Sequence, residues 1–260
     1  MKPLLDAEPG KTALVVAHPD DETIGAGGQI AKLTGLRVLV VTDGAPRDLA
    51  DAREAGCDGR EAYARLRRRE LEAALAIAGV GSDRIHSLGV ADQEASIDMR
   101  GLALRIADRL RELGSRLVLT HAYEMGHPDH DATCLAVHAA AGLLPAPPRI
   151  VEFPSYHMAP DGGFRVGAFP PGTPEGTVVP LGPTARATKR RMLAAHASQA
   201  RTLSMFGAEE ERFRAAPAHD FMRPAHGGGA LYDRFAWGMD SARWRALAAE
   251  TLRAFGRRGA

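Results

Sequence analysis

The feature that most constrains this chain is a short apolar run that ends in a burst of charge. Thr12-Ala13-Leu14-Val15-Val16 reads as a buried β-strand, and Ala17-His18-Pro19-Asp20-Asp21-Glu22 follows it directly, ahead of Thr23-Ile24-Gly25-Ala26-Gly27-Gly28. Pro19 has no N–H and a fixed φ, so pairing stops there. The polar residues then fall just past the strand's carboxyl end, where open α/β sheets hold their ligands. One imidazole and three carboxylates within five residues repel one another more than a turn requires, and a bound cation relieves that repulsion. The competing reading of the hexapeptide alone is a plain helix cap at Asp20 or Asp21 beside a solvated His18.

The same pattern returns after a second apolar run. Arg116-Leu117-Val118-Leu119-Thr120 leads into His121-Ala122-Tyr123-Glu124-Met125-Gly126-His127-Pro128-Asp129-His130-Asp131. Pro128 suits the first position of a helix, which puts His127 near the N-cap and His130 on the same face, three residues on. Between the two segments come a strand at 37–42 closing on Asp43-Gly44, helical spacing from Tyr63 to Ile77, a strand at 84–89, and an amphipathic helix through Ile97, Leu102, Ile106 and Leu110. This alternation predicts a mainly parallel sheet with helices on both faces. Further on, 149–153 predicts another strand, and the Gly- and Pro-rich 155–183 a rim or lid with short strands at 164–166 and 177–179. A helix over 185–206 and a charged surface stretch over 209–214 follow. Trp237 and Trp244, with Phe235, are expected to anchor the last helix.

Ala17-His18-Pro19-Asp20-Asp21-Glu22 paired with His127-Pro128-Asp129-His130 resembles the PIG-L/LmbE-like family of zinc-dependent N-acetylglucosaminyl deacetylases. The likeness continues through Val41-Thr42-Asp43-Gly44, Arg67 to Leu71, and Lys189 to His196-Ala197-Ser198-Gln199, and so covers most of residues 11–200. It implies an α/β, Rossmann-like, mainly parallel sheet with its site at the carboxyl ends of the strands. It also implies hydrolytic removal of an N-acetyl group from an N-acetylglucosamine-type conjugate, with Zn2+ as cofactor and Fe2+ or another divalent metal as alternatives. On that reading His18, Asp21 and His130 hold the metal and leave it open positions for water and substrate. Asp20 is the general base, His127 the oxyanion donor or the acid, and Asp129 orients His127 or a ligand imidazole. Resemblance nominates Arg67 and Asp92 for substrate binding and sets Gln199 behind the site. One departure stands out: Met125 occupies the place where some family members carry a tyrosine that assists the oxyanion, and Tyr123 is not assigned that role.

At 260 residues the chain suits one domain over 1–260, with a core at about 11–206 and a C-terminal extension at 207–260. Its 33 Lys plus Arg against 32 Asp plus Glu give a net charge of +1, which offers no field for nucleic acid or an anionic membrane. The two cysteines, Cys57 and Cys134, form no framework, and no run approaches the ~20 apolar residues of a membrane span. The expected setting is therefore cytoplasmic, and the expected partner a small amino-sugar conjugate, with homo-oligomerisation left open. His138 is read as packing, and His219 as a solvated loop residue or a pocket residue beside Asp220. Two rivals remain: a non-haem iron oxygenase with a two-His-one-carboxylate site, and an inactive sugar-binding protein. Gly25-x-Gly27-Gly28 is a poor dinucleotide signal, because its glycines follow the acids.

Overall fold

A computed structural model describes residues 2–256 of the chain. The strands are β1 (Thr12–Val16), β2 (Arg37–Thr42), β3 (Ile85–Val90), β4 (Leu117–His121), β5 (Arg149–Phe153), β6 (Tyr156–Met158), β7 (Phe164–Val166), β8 (Thr177–Pro180) and β9 (Glu210–Ala215). Seven of them form one sheet in the order β3-β2-β1-β4-β5-β9-β8. The first five run parallel, and β9 and β8 extend one edge antiparallel. The result is the expected Rossmann-like α/β fold, mostly parallel and covered by helices on both faces.

Strand geometry explains how two cores arise from one run. Successive side chains point to opposite faces, so Leu14 and Val16 enter one core with Leu71 and Leu75 of the Arg60–Ile77 helix and Met192 of the Pro183–Ala195 helix. Ala13 and Val15 enter the other, with Ile106 of the Met99–Glu112 helix, Leu135 of the Pro128–Ala141 helix and Trp244 of the Ser241–Ala254 helix. Because both faces of β1 are covered, it reads as an unbroken apolar run instead of an alternating one. The Asp21–Ala26 helix lies so close to β5 that a Cβ on Gly25 would stand 2.3 Å from the Phe153 ring. The glycines after the acids therefore serve close packing.

Strand order places the functional crevice. The chain adds β2 and β3 on one side of β1, then crosses back to add β4 and β5 on the other. The loops leaving β1 and β4 thus diverge at a topological switch point, where α/β sheets open a crevice beyond their carboxyl ends. Both His-Pro-Asp segments emerge there.

Two expectations are corrected. The 209–214 stretch is not a surface segment: it forms β9, an inner strand between β5 and β8, with Glu211 and Arg214 buried. Glu211 meets Lys189 Nζ at 2.9 Å and the Gly28 N–H at 2.8 Å, and Arg214 Nε meets Glu152 at 2.9 Å. Those partners lie far off in sequence, so local charge alone mimicked a solvated face. The helix expected over 185–206 stops at Ala195, and a 3-10 turn at Ala197–Gln199 and a short helix at Ala200–Leu203 follow. The break turns His196 inward, to 3.1 Å from Glu22. Trp244 anchors the last helix as expected, its indole N–H donating to the Pro128 carbonyl at 3.1 Å. Among the described residues no helix is long and apolar enough to cross a membrane.

Candidate metal centre and active site

The β1 exit is a strained turn held by charge. Asp20 has φ 138°, a region that glycine tolerates and other residues avoid. Its N–H donates to Glu22 Oε2 at 2.9 Å, and the preceding Pro19 carbonyl accepts from Arg67 Nη2 at 2.6 Å. Glu22, wholly buried, also accepts from the Thr23 hydroxyl at 2.5 Å and meets His196. The twist separates two adjacent carboxylates. Asp20 lines the cavity beside Arg67 Nη2 at 3.1 Å, whereas Asp21 lies among His18, His121 and His130. Burial raises the Asp20 carboxyl to about 7, against the pull of Arg67. Asp21 is buried too, but His130 and His121 hold it well below the usual carboxylate range.

Four imidazoles crowd this point, and the second nitrogen of each shows what the first can do. His18 Nε2 faces Asp92 at 3.1 Å and Asp129 at 3.3 Å, which makes it the N–H side and turns the Nδ1 lone pair toward Asp21 (3.2 Å) and His130 Nε2 (3.2 Å). His130 Nε2 also lies 3.3 Å from Asp21, while its Nδ1 is buried without a partner. His121 Nε2 accepts the Ala17 N–H at 3.0 Å, so that nitrogen is spent. His121 instead stacks on His130 with centroids 4.1 Å apart and fixes its plane. His127 caps the Pro128 helix, its Nδ1 accepting the Asp129 N–H at 3.2 Å, and the neutral ring then carries its proton on Nε2. Burial, and then His18, push His127 down to about 3; burial pushes His130 down to about 4. Burial opposes charge on His18 as well, yet Asp92, Asp129 and Asp21 raise that ring well above its usual value. Unlike His127 and His130, the His18 ring favours its charged form.

The remaining expected residues fall around this centre. Asp129 is fully buried and turns toward His18, not toward the His127 ring, and it also accepts the N–H groups of Gln93 at 2.7 Å and Ala95 at 3.0 Å. Asp92 lines the cavity with its carboxylate on His18. Arg67 borders the cavity too, but it donates to the Gly44 and Pro19 carbonyls and to Asp20. Gln199 lines the cavity and donates to the Tyr63 hydroxyl at 2.6 Å, so it does not lie behind the site. Tyr123 is outside the centre: it stacks on Trp244 and donates to the Arg223 carbonyl. His219 faces Glu152, away from the cavity. Sequence reasoning missed His121, Glu124 and Tyr156. Glu124 Oε1 accepts the Ser155 and Tyr156 N–H groups at 2.8 and 3.1 Å, which seats the Tyr156 ring 5.4 Å from His130. A tyrosine followed by a histidine in a short strand carries no local signal for this.

The centre floors a cavity of about 770 Å³. Its floor is polar, and its upper wall carries Phe164, Met205, Phe206, Phe235 and Trp237. Phe235 stacks on Trp237 and is 47% exposed, a large apolar surface left open beside a charged floor.

His18 Nδ1, Asp21 and His130 Nε2 thus approach one another within 3.3 Å, two imidazole nitrogens and a carboxylate converging on one point. That donor set fits a divalent cation and is hard to satisfy with protons alone. Such a cluster on this fold is consistent with a metal-dependent amide hydrolase. The chain belongs to the PIG-L/LmbE-like deacetylase family: residues 13–141 match the family model described as GlcNAc-PI de-N-acetylase (PIG-L). It is 31% identical over 185 residues to 1D-myo-inositol 2-acetamido-2-deoxy-alpha-D-glucopyranoside deacetylase 1 of Saccharopolyspora erythraea, covering 60% of this chain and 59% of that protein. The chain spans about half the length of the curated relatives it matches. In fold it is similar to the zinc-inhibited form of the teicoplanin deacetylase Orf2, with TM-score 0.60 at 18% identity over 80% of this chain and all of that one. The 4-carboxy-2-hydroxymuconate hydratase GalB of Pseudomonas putida KT2440 shares the fold too, with TM-score 0.52 at 21% identity over 75% of this chain and 82% of that one. The fold alone does not select the reaction.

Proposed function

We propose that the chain removes the N-acetyl group from an amino-sugar conjugate, with Zn2+ or a related divalent metal held by His18, Asp21 and His130. The carrying observation is that this donor set sits beside a cavity-facing carboxylate, Asp20, which a strained backbone keeps off the metal ligands. When bound, the cation supplies Lewis acidity to the amide carbonyl and to the attacking water. Asp20 takes the proton from that water as oxygen adds to the carbonyl carbon. The His127 Nε2–H, free because Nδ1 is engaged by the helix backbone, donates to the oxyanion. As the C–N bond breaks, Asp20 returns the proton to nitrogen, and the products are an amine and acetate. Asp129 and Asp92 act through His18 by fixing its tautomer.

The cavity supports a two-part substrate. A sugar meets the polar floor, and an apolar aglycone meets Phe164, Met205, Phe235 and Trp237. The relatives' names supply the amino-sugar class. The test is release of amine and acetate from N-acetylglucosamine conjugates, before and after chelation, with oxygen uptake followed in parallel. Equal release of both products, lost on chelation and restored by Zn2+, is expected. Iron-dependent oxygen uptake without amine release would transfer the site to oxygenase chemistry.

A further inference from the structure

A second set of metal-type donors lies further along the helix that carries His130. Cys134 and His138 follow His130 at four-residue steps in the Pro128–Ala141 helix, so the three share one stripe. Facing the latter two are Glu152 of β5 and His219 of the loop after β9. One sulfur, two imidazole nitrogens and one carboxylate oxygen lie within 4.8 Å of one another.

An ordinary buried ion pair does not account for the arrangement. Glu152 is wholly buried, and Arg214 Nε already occupies its Oε2 at 2.9 Å. Three more groups then converge on the other oxygen: His219 Nε2 at 2.5 Å, His138 Nε2 at 3.3 Å and Cys134 Sγ at 3.8 Å. A carboxylate oxygen has two lone pairs, so one of the three exceeds its capacity. A tetrahedral zinc ion with bonds of about 2.0–2.3 Å sets its ligand atoms roughly 3.3–3.6 Å apart. The His138 and Cys134 separations from Oε1, 3.3 and 3.8 Å, are within a few tenths of an ångström of those edges, and the shorter His219 contact must open. His219 is on a loop, where such a shift is easiest. Four protein ligands also leave no open position, which marks a structural site and not a catalytic one.

We propose that Cys134, His138, Glu152 and His219 form a second, structural site for a thiophilic divalent cation, zinc foremost. Binding releases the Cys134 thiol proton to solvent, and the His138 and His219 side chains, 18% and 9% exposed, mark the way in. The ion ties the loop after β9 to the helix that carries His127 and His130. That loop leads on to Phe235 and Trp237 in the cavity wall, so the site braces the mouth of the cavity without touching the chemistry. The inference is independent of the deacetylase reading.

Cobalt tests it directly, because His18, Asp21 and His130 include no sulfur. Wild-type chain freed of metal and reloaded with Co2+ should bind two equivalents and show thiolate-to-cobalt charge transfer in the near ultraviolet. The band should survive His18→Ala, which empties the catalytic centre, and Cys57→Ser, and it should disappear in Cys134→Ser. In His219→Ala, zinc content should drop from two equivalents to one. A wild-type chain that holds one equivalent with no charge-transfer band overturns the proposal and leaves a hydrogen-bonded network around Glu152. That measurement needs no variant to fold.

Discussion

The same tripeptide occurs twice at the strand switch point and is used in opposite ways. After β1, His18-Pro19-Asp20 is bent so that Asp20 takes φ 138° and its carboxylate reaches the cavity. After β4, His127-Pro128-Asp129 enters a helix in ordinary fashion, with His127 at φ −137° as N-cap and Pro128 at the first position. There Asp129 turns inward and is fully buried against His18 and two backbone N–H groups. In the first copy the histidine contacts the other metal-type donors and the aspartate faces the cavity; in the second, the histidine caps a helix and the aspartate supports the first. Backbone conformation, not residue type, divides the roles. What bends the first copy is Glu22 on the Asp20 N–H and Arg67 on the Pro19 carbonyl.

Substitutions can break that contrast. The largest effect is expected from His130→Ala, which should empty the catalytic centre and reduce amine release to background; full metal content at that centre in this variant would remove His130 from the ligand set. Next is Asp129→Ala. It removes a support from the His18 ring and orphans the Gln93 and Ala95 N–H groups, so metal affinity should drop about 10–100-fold. Stability should fall by roughly 1–3 kcal/mol per orphaned group, read by thermal melting; unchanged values in both assays would make the second copy idle. A smaller loss, up to ~10²-fold in turnover with metal retained, is expected from Glu22→Gln, which loosens Asp20 without touching a ligand. Unaltered turnover there would mean that the strained turn holds itself.

The smallest effect concerns His157, which lies away from the centre on β6. Its ring is 1% exposed with neither nitrogen hydrogen-bonded, and burial, then His226 and Arg165, push it down to about 4. An unfolded histidine titrates near ~6.5, so on acidification the unfolded chain binds the proton first. The contribution is complete above that pH, declines between about 6.5 and about 4, and levels off below. Over this window wild type should lose on the order of 2 kcal/mol more than His157→Phe. Parallel stability curves for the two would show that the ring titrates alike in the folded and unfolded chain.

Much of this was legible in the sequence where a residue's partners are close along the chain. β1, β2 and β4 announce themselves as apolar runs, and Pro128 announces a helix start. What local pattern does not carry is pairing across the fold. β9 looked like a charged surface because Glu211 finds Lys189 and Arg214 finds Glu152 only after the sheet is assembled. His121 read only as the first residue after a strand, and only the Ala17 N–H and the His130 ring give it a task. Arg67 was nominated for substrate, yet its donors go to the loop that bends Asp20, a use visible only once the Arg60–Ile77 helix lies beside β1. The Asp20 strain has no sequence signal at all, since nothing in Pro-Asp-Asp demands a positive φ.

The division between metal ligands and a separate base is tested most directly by Asp20→Ala, with metal content and amine release measured on one preparation. Release should fall about 10²–10⁴-fold while metal content equals that of wild type. Retained release, or loss of metal together with release, would contradict the assignment and make Asp20 either a spectator or a ligand.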